Sequence, residues 1–281
     1  MPSFDTPEPI SLSAQVYCGS LQVTATDRTD TVVEARPHDP KREPDVRAAE
    51  QTEIGFAGGV LTVRTPRQRS LIGRSGVVDV SVEVPAGSRL EAAGSWLQVF
   101  GEGLLGEVRV KSSAGDVRLD RTGPLHLTAS HGSITVDGVR GRAEITTSSG
   151  SLRVGLLDGP AVLKNSHGAT TVALATGDLR VSGANGDITV ERAEGSVHAT
   201  TAHGTLRIGE VARGTVQLET DFGAIEVGVR AGTAAWLDVS SQRGQVRNTL
   251  AGTGAPEQDE ETVEVRARTR FGNIDIRRAR A

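Results

Sequence analysis

The sequence predicts an all-β protein: a single-stranded β-solenoid, or β-helix, with about 18 residues per coil, two strands per coil and an N-terminal β cap. Nine glycines recur every nine residues from Gly132 to Gly204. Most are followed by two aliphatic residues separated by one polar residue, as in Ile134-Thr135-Val136. A fixed short period with alternation inside each unit is typical of stacked β-coils, because successive side chains of a strand point to opposite faces.

The true period is 18 residues rather than nine, since the glycines alternate between two contexts. One set follows small polar residues or histidine, as in Ser-His-Gly132 and Ser-Ser-Gly150. The other set stands in more varied turns, as in Asp-Gly159-Pro. Each coil therefore carries two short strands, each entered through a turn where glycine reaches positive φ without steric cost.

Alternation within the strands assigns the inward-facing side chains of both faces. On the first face the predicted inward pairs are Val117/Leu119, Ile134/Val136, Leu152/Val154, Thr170/Val172, Ile188/Val190, Leu206/Ile208 and Ile225/Val227. On the second face they are Leu125/Leu127, Ala143/Ile145, Ala161/Leu163, Leu179/Val181, Val197/Ala199 and Val216/Leu218. Stacking at a strand spacing of about 4.8 Å would join each set into continuous aliphatic columns.

Residues 1–87 do not keep the nine-residue spacing but still indicate β-structure. Strands are predicted at Ile10–Tyr17, Leu21–Ala25, Val32–Ala35, Val60–Val63 and Val77–Val84. One or two helical turns are predicted at residues 44–51. Because the end of a solenoid exposes unpaired backbone groups, we interpret residues 1–87 as a β cap with the first strands. Residues 88–281 form the repeat region, and the two together are expected to be one continuous domain.

Two irregular segments and a final coil interrupt or follow the repeat. Residues 66–76 are predicted to be an exposed loop that carries three arginines, Arg67, Arg69 and Arg74. Residues 248–261 form an acidic insertion, and the segment Val263–Ile276 resumes the pattern as a last coil.

The composition limits the function classes. The chain has 281 residues, a net charge of −4 and only 3% aromatic residues. The near-balanced charge gives no support to nucleic acid as a partner. Cys18 is the sole cysteine, so no intrachain disulfide is expected, and no stretch approaches the roughly 18 apolar residues of a membrane span. The N-terminus has no signal-peptide pattern, and we expect a cytoplasmic location.

The repeating Ser/Thr-x-Gly-x-Ile/Val-x-Val unit, entered through VEVPAGSRLEAAG, resembles the bacterial β-strand-repeat family labelled "putative adhesin", a domain of unknown function. The resemblance covers roughly residues 80–276. It implies a solenoid and brings no catalytic residues. Some relatives in Gram-positive bacteria are associated with envelope-stress responses, and the resemblance suggests the same link for this chain.

The histidines His131, His167 and His203 precede corner glycines at intervals of 36 residues, which suggests a metal column. Two coils would separate them by roughly 9–10 Å, too far for one ion with metal–nitrogen bonds of about 2.1 Å. We interpret the column as a corner ladder, in which short polar side chains satisfy turn backbone groups. Calcium is not expected either, since the GGxGxD repeat of calcium-binding β-helices is absent.

No enzyme is predicted, because the outward positions lack paired carboxylates and the chain has no nucleophile elbow, phosphate loop or dinucleotide fingerprint. We expect no catalytic residue, no cofactor and no metal. The favoured function is a scaffold or protein-interaction module of unknown specific role. Adhesin-like or envelope-stress-associated ligand binding and self-assembly through the solenoid ends are the alternatives. Besides the three arginines of the exposed loop, the predicted contact residues are Trp236, Phe271 and Ile274.

Overall fold

The computed structural model describes residues 2–66, 76–250 and 261–279. The chain divides into two compact units, Met1–Arg140 and Gly141–Ala281. Both are built from short, mostly parallel β-strands stacked as coils, which confirms the predicted all-β solenoid. In the described ranges no helix is long and apolar enough to cross a membrane.

The described part of the first unit contains twelve strands and one helix. They are β1 (Ser3–Asp5), β2 (Ser11–Gln15), β3 (Cys18–Thr26), β4 (Asp30–Pro37), α1 (Glu43–Glu50), β5 (Glu53–Ala57), β6 (Val60–Arg64), β7 (Val78–Pro85), β8 (Arg89–Leu105), β9 (Val108–Ala114), β10 (Val117–Thr122), β11 (Leu125–His131) and β12 (Ile134–Arg140).

Two parallel ladders organise this unit. The first runs β6–β2–β8–β9–β11, and the second runs β7–β3–β8–β10–β12. The 17-residue strand β8 belongs to both, since its first half pairs with β2 and β9 and its second half with β3 and β10. Strands β2 and β3, which come early in the chain, therefore lie between the β6–β7 coil and β8.

Antiparallel strands close the N-terminal side of the first unit, as the predicted cap requires. Strand β5 pairs with β6, β4 pairs with β7, and β1 pairs with β4, all antiparallel. The predicted helical turns form α1, which is held by the buried carboxylate of Asp45. Its oxygens accept from the backbone N–H groups of Val77 (3.0 Å) and Asp39 (3.2 Å). Strands β1 and β5 were not predicted from the sequence, because neither has more than two apolar residues in alternation.

The described part of the second unit contains fourteen strands. They are β13 (Ala143–Ser149), β14 (Leu152–Asp158), β15 (Ala161–His167), β16 (Thr170–Ala175), β17 (Leu179–Asn185), β18 (Ile188–Ala193), β19 (Val197–His203), β20 (Leu206–Val211), β21 (Gly214–Phe222), β22 (Ile225–Val229), β23 (Ala234–Arg243), β24 (Val246–Asn248), β25 (Thr262–Phe271) and β26 (Ile274–Arg278).

Each regular coil of the second unit contributes one strand to each of two parallel ladders, with a spacing of 18 residues. Leu179 pairs with Val197 on one face, for example, and Ile188 pairs with Leu206 on the other. All the inward pairs predicted from the alternation are buried in the two units. The aliphatic columns are thus confirmed, and they form the core.

The order of the last coils differs from the order along the chain. Strand β21 pairs with β25, and β25 pairs on its other side with β23. On the second face β22 pairs with β26, which pairs in turn with β24. The sequence suggested that the segment Val263–Ile276 is the terminal coil. In the structure this segment lies instead between the β21–β22 coil and the β23–β24 coil. The end coil is formed by β23 and β24.

Glycine is required where consecutive corners approach each other. At Gly168 φ is +130°, and a Cβ atom would lie 2.2 Å from the carbonyl oxygen of Gly150. The stacked coils leave no room for a side chain there, and the backbone conformation is one that other residues rarely adopt. This close approach explains why the glycine repeat is so strict.

Candidate interaction surface

Inward-facing polar side chains satisfy the backbone at the glycine corners. Asn165 is buried, and its Nδ2 donates to the carbonyl oxygens of Gly150 (3.0 Å) and Gly168 (3.1 Å). Thr220 donates in the same way to Gly204 (3.2 Å), and Thr269 donates to Gly223 (3.0 Å). Each of these buried residues stands three positions before a corner glycine, and we call them the inner ladder. The predicted histidine ladder uses a different position, the one directly before the glycine.

The aspartates that follow corner glycines also have a structural role. Asp116 Oδ1 accepts from the backbone N–H of Ser133 at 2.7 Å, and Asp187 Oδ1 accepts from Thr205 at 2.7 Å. Asp178 makes the same bond to Ser196 at 3.2 Å. Each carboxylate thus joins its own corner to the corner of the following coil. These backbone hydrogen bonds give the aspartates a structural role at the corners.

The predicted histidine column lies on the solvent side of the same corner. In the second unit Ser149, His167, Asn185 and His203 occupy successive register positions. The rings of His167 and His203 are separated by Asn185, whose side-chain nitrogen lies 3.0 Å from His167 Nδ1. Across the described ranges, three or more His, Cys, Asp and Glu side chains never gather closely enough to hold a metal ion.

The corner column continues beyond His203 as a stack of flat side chains. The rings of His203 and Phe222 have centroids 5.0 Å apart and an interplanar angle of 4°. Phe222 stacks on Phe271 at 4.8 Å and 3°, and the Arg243 guanidinium carbon lies 5.3 Å from the Phe271 centroid. We call the group His203, Phe222, Phe271 and Arg243 the aromatic corner.

The aromatic corner exposes two large apolar rings to solvent, with Phe222 47% and Phe271 41% accessible. The stack depends on the inserted coil, since Phe271 reaches Phe222 only because β25 pairs with β21. Face-to-face stacking at this spacing follows from the parallel register, which sets successive rings about one strand spacing apart. The rings therefore form one continuous exposed edge rather than isolated surface residues.

A local sequence signal for this stack exists. Phe222, Arg243 and Phe271 each stand directly before a glycine, as the three column histidines do. The signal identifies the corner position of each residue. It does not show that Phe222 and Phe271 are neighbours, because 48 residues separate them and the end coil intervenes in the chain.

The end coil leaves one edge of each ladder without a partner strand among the described residues. Strand β23 pairs with β25 alone, and β24 pairs with β26 alone. Trp236 on β23 is 58% exposed, and Val246 on β24 is 44% exposed. The core aliphatic columns therefore end at a coil that is open on one side.

The predicted contact residues fall in different places. Phe271 lies in the aromatic corner, and Trp236 lies on the outward face of the end coil. Ile274 is 0% exposed, packed in the core between neighbouring coils, and is not available to a partner. The prediction that Ile274 is a contact residue is corrected, because β26 lies between β22 and β24.

The remaining predicted contact residues, Arg67, Arg69 and Arg74, lie outside the described residues, as do residues 251–260 of the predicted acidic insertion.

The charged groups near the end coil are paired across strands. Arg268 lies 3.5 Å from Asp238, and Arg270 lies 3.1 Å from Asp221. Arg230 donates a hydrogen bond to Glu210 at 2.6 Å, a contact that raises the pKa of its guanidinium further above the usual value.

The sole cysteine, Cys18, lies in the first unit. Burial raises the pKa of its thiol, which disfavours the nucleophilic thiolate.

Comparison with protein families gives the family of the chain. Residues 19–277 match the Toastrack family, DUF4097. The chain belongs to the Toastrack family. This confirms the resemblance to the "putative adhesin" β-strand repeats, a domain of unknown function.

Several solved structures are similar to the chain at low sequence identity. A "putative adhesin" from Parabacteroides merdae is 13% identical with a TM-score of 0.44, over 98% of this chain and 94% of its own. A "putative lipid binding protein" from Parabacteroides distasonis is 12% identical with a TM-score of 0.41, over 98% and 95%. A "putative adhesin" from Bacteroides fragilis is 12% identical with a TM-score of 0.36, over 98% and 95%. These likenesses are too distant to bear on function, and no curated protein matches the chain.

Proposed function

We propose that this Toastrack chain is a non-catalytic protein-interaction module whose contact surface is the aromatic corner. The observation that carries the proposal is the continuous exposed stack of Phe222 and Phe271. Aromatic residues make up only 3% of the sequence, so two stacked rings on the surface are a concentrated apolar feature. Phenylalanine and arginine are also among the residue types that are enriched at protein interfaces.

The geometry of the stack indicates the chemistry of a suitable partner. The two phenylalanine rings offer apolar area that a partner's aliphatic or aromatic side chain can cover. Arg243 lies at one end of the stack, over Phe271, and supplies a cation whose guanidinium has no ion-pair partner among the described residues. A protein segment that combines an apolar side chain with a carboxylate would match both features.

Rigidity supports the same assignment. Phe222 and Phe271 lie at the ends of β21 and β25, which pair in register over their whole common length. A partner would therefore meet rings that are already positioned, and little conformational entropy would be lost on binding.

The test compares two variants of the full chain. Phe222→Ser with Phe271→Ser removes the apolar stack, whereas His167→Ala removes an exposed ring from the same corner column outside the stack. The chains are cross-linked in extract of the native cells, and the bound proteins are identified. We expect a partner that wild type and the His167 variant retain and that the double variant loses. If the folded double variant keeps every partner, the assignment is wrong.

The cytoplasmic location stays a prediction and distinguishes this proposal from the adhesin-like alternative. An interaction module of the cytoplasm would be found in the soluble fraction of the native cells. A surface adhesin or an envelope-stress receptor would be found with the envelope. Fractionation with and without envelope stress separates the two functions.

A further inference from the structure

We infer that two copies of this chain pair across a two-fold axis through the open edge of strand β23. This pairing does not depend on the aromatic corner being a partner site. Strand β23 has ten residues, and in the described part of the chain it is hydrogen-bonded on one side only, to β25. The other side presents a row of backbone N–H and C=O groups, which is a template for pairing with another strand.

The aliphatic core ends at the same edge. Leu237 and Val239 are aligned with Val265 and Ala267, which are both fully buried, yet they are themselves only partly covered. On the second face Val246 is exposed above the fully buried Ile274. The end coil thus has the inward pattern of an interior coil, but in the described ranges no neighbouring coil buries it.

A second copy is the occupant that suits both features. A single foreign strand would satisfy the backbone of β23 but would leave the aliphatic columns uncovered. An identical end coil brings a matching strand and a matching set of aliphatic side chains. The association would extend the hydrogen-bonded ladder and bury the core ends of both copies together.

A two-fold arrangement is favoured over head-to-tail stacking. Head-to-tail contact requires a second, different edge that accepts β23. In the first unit the parallel ladders are closed by the antiparallel strands β4 and β5, and among the described residues the two outer strands, β5 and β1, have only five and three residues. Short outer strands of this kind are how natural sheets prevent edge pairing. Pairing of the C-terminal edge with itself gives a closed dimer.

The side chains of β23 select the register of this pairing. In an antiparallel pair centred on Leu237, that residue faces its own copy and Ala235 faces Val239, so apolar groups meet on the inward face. Centring on Asp238 would bring two carboxylates together, which is destabilising. Centring on Val239 would place Leu237 against the Ser241 hydroxyl. The Leu237-centred register also lays each exposed Trp236 ring beside the partner strand.

The first experiment measures mass in solution by light scattering over a wide concentration range. Wild type is expected to reach twice the chain mass of 29.4 kDa at high concentration and not to exceed it. Leu237→Lys places a charge at the open edge and is expected to abolish the dimer. Val60→Lys, the same charge placed on an exposed valine of a first-unit strand, is the control and should leave it intact. A wild type that stays monomeric, or that forms filaments, overturns the proposal.

The second experiment tests the register in the full chain with Cys18 replaced by serine. Opposed residues of a hydrogen-bonded antiparallel pair have Cα atoms about 5.5 Å apart, within the range for a disulfide. Leu237→Cys is therefore expected to form a covalent dimer under mild oxidation, and Val239→Cys is not. Equal cross-linking of both variants, or cross-linking through Val239 alone, would contradict the Leu237-centred pairing.

Discussion

At the residue scale, two sets of side chains determine how closely the coils stack. Corner glycines permit backbones to approach to distances at which no Cβ atom fits, and inward polar residues satisfy the carbonyls exposed by each corner. The glycine spacing was visible in the sequence. The role of Asn165 was not visible in the sequence. A polar residue near a corner can point inward or outward, and which of the two applies depends on where the chain turns.

Replacing a corner glycine should be far more damaging than replacing a glycine with open space around it. Gly168→Ala would force a Cβ atom to 2.2 Å from the Gly150 oxygen at a strained φ, and we expect a loss of about 3 kcal/mol in unfolding free energy. Gly55→Ala meets nothing within 4 Å and should change stability little. Urea denaturation of the two variants measures the difference. Similar values would show that the corners are not closely stacked.

A second prediction concerns Asn165 in the inner ladder. Asn165→Leu should cost about 1–3 kcal/mol, because the Gly150 and Gly168 carbonyls would lose a buried donor. Asn165→Thr introduces the residue type found at Thr201 and Thr220 in the same column, and it should be tolerated much better. Thermal unfolding of both variants provides the measurement. Equal destabilisation would mean that packing volume, not hydrogen bonding, matters at this site.

At the element scale, the important feature is the position of β25 and β26 between earlier coils of the second unit. A solenoid sequence defines which residues point inward but not which coil lies next to which, since any aliphatic pair fits beneath any other. Val265 and Leu237 both match the column of Val216, for example. The insertion therefore could not be read from the repeat, and the predicted terminal position of Ile274 was wrong for that reason.

Truncation of two aligned aliphatic residues tests this coil order. Ile274 is 0% exposed and Val246, in the adjacent coil of the same column, is 44% exposed. We expect Ile274→Ala to cost about 3 kcal/mol and Val246→Ala about 1 kcal/mol or less. Chemical denaturation of the two variants gives the comparison. The reverse ranking would place Ile274 at the end of the ladder.

At the scale of the whole molecule, the sequence predicted the all-β solenoid, the inward columns and most cap strands, because periodic alternation and glycine spacing are local signals. The functional surfaces depend on non-local pairing. Phe222 and Phe271 stack on each other, and β23 lies at the edge of its ladder, only because β25 is inserted between β21 and β23. Family membership adds the Toastrack architecture and leaves the partner to be identified by experiment.

Amide hydrogen exchange of the intact chain, at concentrations too low for association, tests this arrangement most directly. Strand β25 is paired on both sides and should exchange slowly, whereas β23, which in the described part of the chain is paired on one side, should exchange quickly along its open edge. That result would support both the aromatic corner and the open edge. Fast exchange in β25 together with strong protection of β23 would show that the coils stack in chain order, and both proposed surfaces would then be wrong.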